Sequence, residues 1–443
     1  MILLSKYWFL YCQSFFENSF DIKIKKERRS NKTAERMISV SNEKQASMQF
    51  SLSEEEIQLI IRYWIRTSKI KLGWINDFNK LVVNYTTAVF ILDTFCLTSK
   101  LLKTFTGHAN CVYSIDHSTF AEDQLMCSGS DDRTVRVWNV ETTKQIQSFN
   151  GHLSHIYCVR FSPYHYHHYH YNIICSSSYD KTIRFWDIKH NRQLQIFNGH
   201  TNAVFGIEVS PFNGGKYLCS GSDDSTIRLW DIKTSKLLHI FDRHRAGVWC
   251  VAFSPLQSNN NKSNKSNCIG GNGYTICSGS WDKTIRICDI ETTKQLIVFK
   301  GHERLINSVK YGSDRLGNTI LSGSNDKSVR LWDIRSNQQI QVFNVHTNGV
   351  TCVEYSPFVV NNIEVGDYSS VICSGSFDNT IRFWDIRSNK KELYVIKGDK
   401  GEDSGILDLK FFNLKKKEKR NTDYSFDINL YYSSERGLIR VWG

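Results

Sequence analysis

The sequence predicts an all-β fold of seven repeats closed into a ring, and three observations lead to it. A phrase typified by Cys127-Ser128-Gly129-Ser130-Asp131-Asp132-Arg133-Thr134-Val135-Arg136-Val137-Trp138 recurs with endings at Trp186, Trp230, Cys288, Trp332, Trp384 and Trp442, 44 to 58 residues apart. Upstream of several copies stands a Gly-His pair: Gly107-His108, Gly151-His152, Gly199-His200 and Gly301-His302. Finally, Lys100–Thr106 matches the start of a repeat but has no complete repeat before it. A period of this size marks stacked units, each of which buries its faces only against its neighbours.

Period-two alternation and turn residues divide each repeat into four strands. After each terminal Trp comes a short turn and an outer strand, such as Lys144 to Phe149 or Arg192 to Phe197. The Gly-His loop follows, then an inner strand such as Val204 to Ser210, a connection, the Ser-rich strand and the Trp-terminated strand. The last repeat stops at Trp442, one residue before the chain ends, so its outer strand is missing. Lys100–Thr106 has the pattern of Lys236 to Phe241 and is expected to supply it. Pairing the two ends would remove the exposed sheet edges of an open array.

The Trp-Asp endings, the upstream Gly-His and the period resemble the WD-repeat β-propeller family across residues 100–443. The resemblance implies a seven-bladed β-propeller closed by an N-terminal outer strand. It also implies a polar network in each blade, in which the Trp indole meets Ser, Ser meets His, and His meets Asp. The matching sets are His108, Ser128, Asp132, Trp138 in blade one and His152, Ser176, Asp180, Trp186 in blade two. Blade three has His200, Ser220, Asp224, Trp230; blade five His302, Ser322, Asp326, Trp332; blade six His346, Ser374, Asp378, Trp384. Blade four keeps His244, Ser278 and Asp282 but has Cys288 in place of Trp. Blade seven has Asp399, Tyr432 and Arg436 at the first three positions and keeps Trp442, so it is expected to be the least rigid blade, relying on strand pairing and apolar packing.

Ser, His and Asp in every blade do not make an enzyme. Catalysis needs one such set beside one cleft, whereas a set repeated at fixed period satisfies buried polar groups. No catalytic residue, cofactor or Gly-rich phosphate loop is expected. The run Tyr164-His165-Tyr166-His167-His168-Tyr169-His170-Tyr171 offers imidazoles to a transition metal, but no carboxylate or Cys stands at ligand spacing. It is read as a flexible loop, with no metal site.

The insertions at 164–171, 257–267, 358–369 and 413–427 all fall between the inner and Ser-rich strands, which the family places on one face. The opposite face stays short, as a binding surface would. Two positions per blade vary there. One reads Asp131, Tyr179, Asp223, Trp281, Asn325, Phe377, Glu435; the other reads Tyr113, Tyr157, Phe205, Trp249, Asn307, Thr351, Leu407. Tyr113, Tyr157, Tyr179, Phe205, Trp249, Trp281 and Phe377 are therefore the expected protein or peptide site, because large aromatics dominate interaction hot spots. Asp131, Asp223 and Asn325 would favour a basic or polar partner. An alternative rests on Trp332-Asp333-Ile334-Arg335 and Trp384-Asp385-Ile386-Arg387. The residues Trp332, Asp333, Arg335, Trp384, Asp385 and Arg387 resemble the adaptor motif of substrate receptors for cullin-RING ubiquitin ligases.

Before the ring, residues 1–50 read as a disordered basic segment, and 51–99 as a helical hairpin with a connector. Ser53 with Glu56 forms a capping box ahead of the stripe Ile57, Ile60, Ile61, Trp64, Ile65; a second stripe is Trp74, Ile75, Phe78, Leu81, Val82. Residues 86–99 are expected to run extended into the closing strand. The apolar stretch Ile2 to Phe16 is too short to span a bilayer and lacks a basic leader and a cleavage site. The net charge of +12 is spread along the chain, so an RNA-associated scaffold is a weaker alternative. Thirteen cysteines without paired spacing fit a reducing compartment, so an intracellular, cytoplasmic setting is expected over a nuclear one.

Overall fold

The Ser-rich strands show why the repeat folds as it does. Leu125–Ser130, Ile173–Ser178 and Thr275–Ser280 are buried at all six positions. Such burial on both faces requires a sheet sandwiched between two others, with larger, mostly apolar residues at the first two positions of each strand and small Cys, Ser and Gly at the rest. In the computed structural model these strands sit second in seven four-stranded antiparallel sheets, arranged as the blades of a propeller. The structure describes residues 92–118, 124–254, 274–312, 316–362, 367–386, 392–415 and 426–443. Expectations for residues 1–91, including the basic segment and the helical hairpin, lie outside the described residues, as does the 257–267 insertion.

Blade one shows the order from axis to rim: Val112–His117, Leu125–Ser130, Val135–Asn139 and Gln145–Phe149. Burial falls outward, and the outer strand keeps only Phe149 inside. The cores lie between blades. Phe105, Ile115, Met126, Trp138, Phe412, Tyr431, Ile439 and Val441 form the cluster joining blades seven and one.

The ring closes through Leu101–Phe105, which pairs antiparallel with Ile439–Trp442 as the outer strand of the seventh sheet. Leu101 stands opposite Trp442 and Phe105 opposite Ile439. Lys100 and Gly443 exchange backbone hydrogen bonds of 3.2 and 3.3 Å at the end of this ladder.

Every inner strand carries a register shift near its start: Val112/Ser114, Ile156/Cys158, Val204/Ile207, Val248/Cys250, Ile306/Ser308, Val350/Cys352 and Ile406/Asp408. A bulge breaks strict alternation, so two successive residues can face the same side. Tyr113 with Ser114, and Trp249 with Cys250, both line the axial channel for this reason.

Three local expectations are corrected. Within residues 86–99, Leu92–Thr98 is helical rather than extended, because Leu92, Phe95 and Cys96 share one helix face. Leu92 and Phe95 are buried, and Phe95 meets Phe358 and Phe383 at ring-centroid distances of 4.6 and 6.1 Å. The His-rich run is also helical, over Pro163–Tyr169, with Pro in the first turn and His170 closing it in the left-handed region. Tyr164 and His165 are buried, and the Ser162 hydroxyl lies 2.8 Å from His165 Nδ1, so packing fixes the segment. The third correction concerns the insertions 358–369 and 413–427. Their flanks extend the sheets, pairing Val350–Asn362 with Asp367–Ser376 and Ile406–Lys415 with Phe426–Ser434.

Candidate partner-binding site

The loops around the channel are anchored by the repeated polar sets. In blade one the Trp138 indole donates to Ser128 Oγ (2.8 Å), which lies 2.7 Å from His108 Nε2, while His108 Nδ1 lies 2.8 Å from Asp132. Blade two repeats this with Trp186, Ser176, His152 and Asp180 at 2.7, 2.7 and 2.8 Å. Blade three has Trp230, Ser220, His200 and Asp224 at 2.9, 2.8 and 2.8 Å. In blade five Trp332, Ser322, His302 and Asp326 stand at 2.8, 2.8 and 2.7 Å, and in blade six Trp384, Ser374, His346 and Asp378 at 3.1, 2.8 and 2.8 Å. Blade four keeps His244, Ser278 and Asp282 at 2.8 and 2.8 Å, with Cys288 in place of the indole donor.

The chain of bonds defines the proton positions: the serine accepts from Trp and donates to Nε2, so Nδ1–H donates to Asp. Burial pushes His108, His152, His200, His244 and His302 down from their ordinary range, against the pull of their aspartates. Burial alone would raise the aspartates. Bonds from the imidazole, from Thr134 or its equivalent and from the main chain instead hold Asp132, Asp180, Asp224, Asp282, Asp326 and Asp378 well below the carboxylate range.

Blade seven corrects the expectation of a blade without a polar network. Asp403, fully buried, accepts from Tyr432 (3.0 Å), from Arg440 Nε (2.8 Å) and from the Asp399 main chain (2.6 Å). Arg440 occupies the repeat position of Arg136, but here it turns into the blade. Asp403 belongs to a segment with no counterpart in the other repeats, so repeat alignment could not reveal it.

Above these anchors six of the variable aromatics, Tyr113, Tyr157, Tyr179, Phe205, Trp249 and Trp281, form one connected cluster. Tyr113 meets Tyr157 at 5.0 Å, Tyr157 meets Phe205 at 5.0 Å and Trp249 at 5.5 Å, and Phe205 meets Trp249 at 4.5 Å. Trp281 stacks beside Trp249 at 6.1 Å, and Tyr179 touches Tyr157 at 6.5 Å. Tyr179 and Trp281 are 49% and 39% exposed, whereas Phe205, at 4%, is a floor for its neighbours rather than a contact surface. Tyr113, Tyr157, Phe205, Trp249 and Phe377 line an axial cavity of about 340 Å³. Asp131, Asp223 and Glu435 stand on the turns around it. Asn110 donates to Asp131 and Asn202 to Asp223, each at 2.6 Å, and His155 pairs with Asp131.

A charged belt lies deeper, and its members were not singled out in the sequence. Arg160 meets Glu208 at 3.1 Å, and Glu354 bridges Lys310 and Lys410 at 3.0 and 3.5 Å. Burial opposes the ionised Glu354, but the two ammonium groups hold its carboxyl below the usual value. Asp116 accepts from the Phe161 main chain at 2.8 Å. The clue was an alternation of sign at one position of successive inner strands, Asp116, Arg160, Glu208, Ala252, Lys310, Glu354, Lys410.

The residues of the ligase-adaptor alternative are set apart from this cluster in the described structure. Trp332 and Trp384 are buried, and Asp333 accepts from the Arg335 main chain (3.0 Å) and the Ser336 hydroxyl (2.9 Å). Asp385 is half-buried, Arg335 is exposed, and Arg387 lies outside the described residues. Among the described residues no group of three or more His, Cys, Asp or Glu is arranged to hold a metal ion.

Comparison with known proteins agrees with this architecture. The WD40 family model (WD domain, G-beta repeat) matches residues 99–139, 143–187, 191–231, 235–289, 293–333 and 337–385, more than half of the chain. The chain therefore belongs to the WD40 family. The unmatched seventh blade is the one that lacks the His–Ser–Asp set. Among curated relatives, the human peroxisomal targeting signal 2 receptor is 41% identical over 63 residues, 14% of this chain and 20% of that protein. The Polycomb group protein FIE1 of Oryza sativa subsp. japonica is 39% identical over 71 residues, 15% of this chain and 19% of that protein. The U3 small nucleolar RNA-associated protein 15 homolog of Xenopus tropicalis is 33% identical over 69 residues, 15% of this chain and 13% of that protein. These alignments span no more than a fifth of the relatives' length.

Proposed function

Starting from membership of the WD40 family, we propose that this protein is a non-enzymatic interaction scaffold that binds a peptide or protein segment at the aromatic channel mouth. The observation behind it is the continuity of Tyr113, Tyr157, Phe205, Trp249 and Trp281, residues the repeat does not dictate, across an open cavity. Rigid aromatics around a concavity give large contact area at little entropic cost, which suits an interaction hot spot. The His–Ser–Asp sets serve the fold, since each spends its hydrogen bonds on neighbouring residues. The described cysteines are free thiols, most of them buried, which supports an intracellular setting.

The test is affinity-purification mass spectrometry from native cells, comparing wild type with Tyr113→Ala/Trp249→Ala/Trp281→Ala after its fold is checked by circular dichroism and melting. Selective loss of partners is expected; an unchanged partner list would remove the channel mouth as the working surface. The substrate-receptor reading is kept by the exposed Arg335 beside the anchored Trp332. Recovery of a cullin adaptor whose binding is lost in Arg335→Ala would favour it.

A further inference from the structure

The aromatic channel mouth also carries a sign. Asp131, Asp223 and Glu435 stand around Tyr113 and Tyr157, and the rings register their field. Burial is the first cause that raises both phenols, and the carboxylates raise them further: Asp131 and Glu435 at Tyr113, and Asp131 and Asp223 at Tyr157, which is pushed up to about 12.

Below the aromatics, the second residue of each bulge forms a tier: Ser114, Cys158, Gly206, Cys250, Ser308, Cys352 and Asp408. Six of these are small and uncharged. Asp408 is the exception, and its carboxylate lies under blade one, where Oδ2 accepts from the Ile115 main chain at 3.0 Å and Oδ1 from Leu409 at 2.9 Å. The belt beneath offsets it only in part: Arg160 and Lys410 both feel the Asp408 charge, but Arg160 is also matched by Glu208 and Lys410 by Glu354, with Asp116 as a further carboxylate. Counting Asp408, three cations face four carboxylates. Arg160 reaches up to the tier, where its Nη1 bonds Ser114 Oγ at 3.3 Å and the Val159 carbonyl at 2.8 Å.

We propose that the channel mouth selects a basic peptide segment, taking one Lys or Arg side chain across the faces of Tyr113, Tyr157 and Trp249. Asp131, Asp223 and Glu435 surround its entry, and Asp408 is the carboxylate at its end. This deepens the peptide-binding reading and rests on it. An aromatic face attracts a cation through its quadrupole, and the attraction strengthens when the site is partly dry. A long side chain also suits the geometry, since its methylenes cover the rings while the charged head continues down the axis.

The probe is a randomised linear peptide library displayed on phage and selected against the full chain. Enrichment of Lys or Arg at one position is expected. The best peptide is then synthesised with a fluorescent label, together with a neutral counterpart carrying norleucine for Lys or citrulline for Arg. Neutralisation should weaken binding by about tenfold, the scale of one partly desolvated cation–π contact with its counter-charge. Asp408→Asn should weaken the basic peptide similarly and leave the neutral one unchanged. Should Asp408→Asn fail to fold, the rim variant Asp131→Asn/Glu435→Gln makes the same comparison at half-buried turn positions. Neutral or acidic peptides whose binding needs Tyr113 and Trp249 would overturn the cation preference and leave the peptide site standing. Peptides insensitive to Tyr113→Ala/Trp249→Ala, or no enrichment at all, would overturn both.

Discussion

Arg440 Nε lies 2.8 Å from Asp403 Oδ1 in the blade that lacks the His–Ser–Asp set. The guanidinium side chain is 7% exposed, the carboxylate 0%, and a hydrogen bond from Tyr432 completes the group. A buried ion pair adds little over apolar packing, but removing one partner strands the other charge. Asp403→Ala should therefore lower unfolding free energy by about 3 kcal/mol in urea denaturation, towards the low end of such losses because Glu402 still contacts Arg440. Arg436→Ala, at the exposed position where other blades place the network Asp, should cost under about 1 kcal/mol. Equal losses would contradict the assignment of Asp403 as the blade's anchor.

The Gly of Gly-His has a packing reason. A Cβ on Gly151 would lie 2.6 Å from the Trp186 ring, and those on Gly107, Gly199 and Gly301 would lie within 3.0 Å of Trp138, Trp230 and Trp332. Blade four, which has Cys288 for Trp, has Arg243 for Gly. Blade six keeps Trp384 beside Val345, and its indole–serine bond is the longest of the five at 3.1 Å. Gly151→Ala should cost about 1–3 kcal/mol through overpacking. In a Trp186→Cys background that cost should largely vanish, giving a coupling energy above about 1 kcal/mol in a double-mutant cycle. Additive losses would show that the glycine is required for some other reason.

Acid sensitivity follows from the histidines. Burial lowers the folded-state values of His108, His152, His200, His244 and His302, whereas in the unfolded chain each titrates near 6.5. Between the lowered values and 6.5 the unfolded state binds more protons, so these groups contribute stability above pH 6.5 that is lost as pH falls below it. The depressed aspartates act in the same direction, below about pH 4. Melting temperature should fall from pH 7 to pH 5 and steepen further in acid. A flat profile across pH 7 to 5 would mean that the imidazoles titrate alike in the folded and unfolded chain.

What the sequence made legible was what the repeat enforces. His, Ser, Asp and Trp return at fixed positions because one hydrogen-bond chain needs all four, and a count of strands was enough to place Lys100–Thr106. The aromatic channel residues were found at positions where the repeat leaves the side chain free, although Phe205 proved to be a floor. Asp403 escaped because it has no repeat counterpart. The helix Leu92–Thr98 escaped because two turns give too little periodicity to outweigh an extended reading. In the Tyr/His run, alternation hid the helical signal of Pro163 following Ser162. The belt needed the bulges: without the register shift, Ser114 and Tyr113 would face opposite ways and the tiers would not align.

Closure is the property on which the whole ring depends. Phe105 is buried on the closing strand, edge-on to Trp138 at 5.7 Å and beside Tyr431 at 6.5 Å. Deleting residues 100–106 would remove that ring from the core shared by blades seven and one. It would also expose the backbone of Ile439–Trp442, and an unpaired edge is a template for another chain. The deletion should lower the melting temperature and shift size-exclusion elution towards larger species or aggregate than the intact chain gives. A synthetic peptide of residues 100–106 supplied in excess should restore part of the melting temperature, because it binds only the folded ring and stabilises by mass action. The same peptide with Phe105→Ala should restore less. If the deletion variant elutes as the intact chain does, with an unchanged melting temperature, closure by strand pairing is not what holds the propeller together.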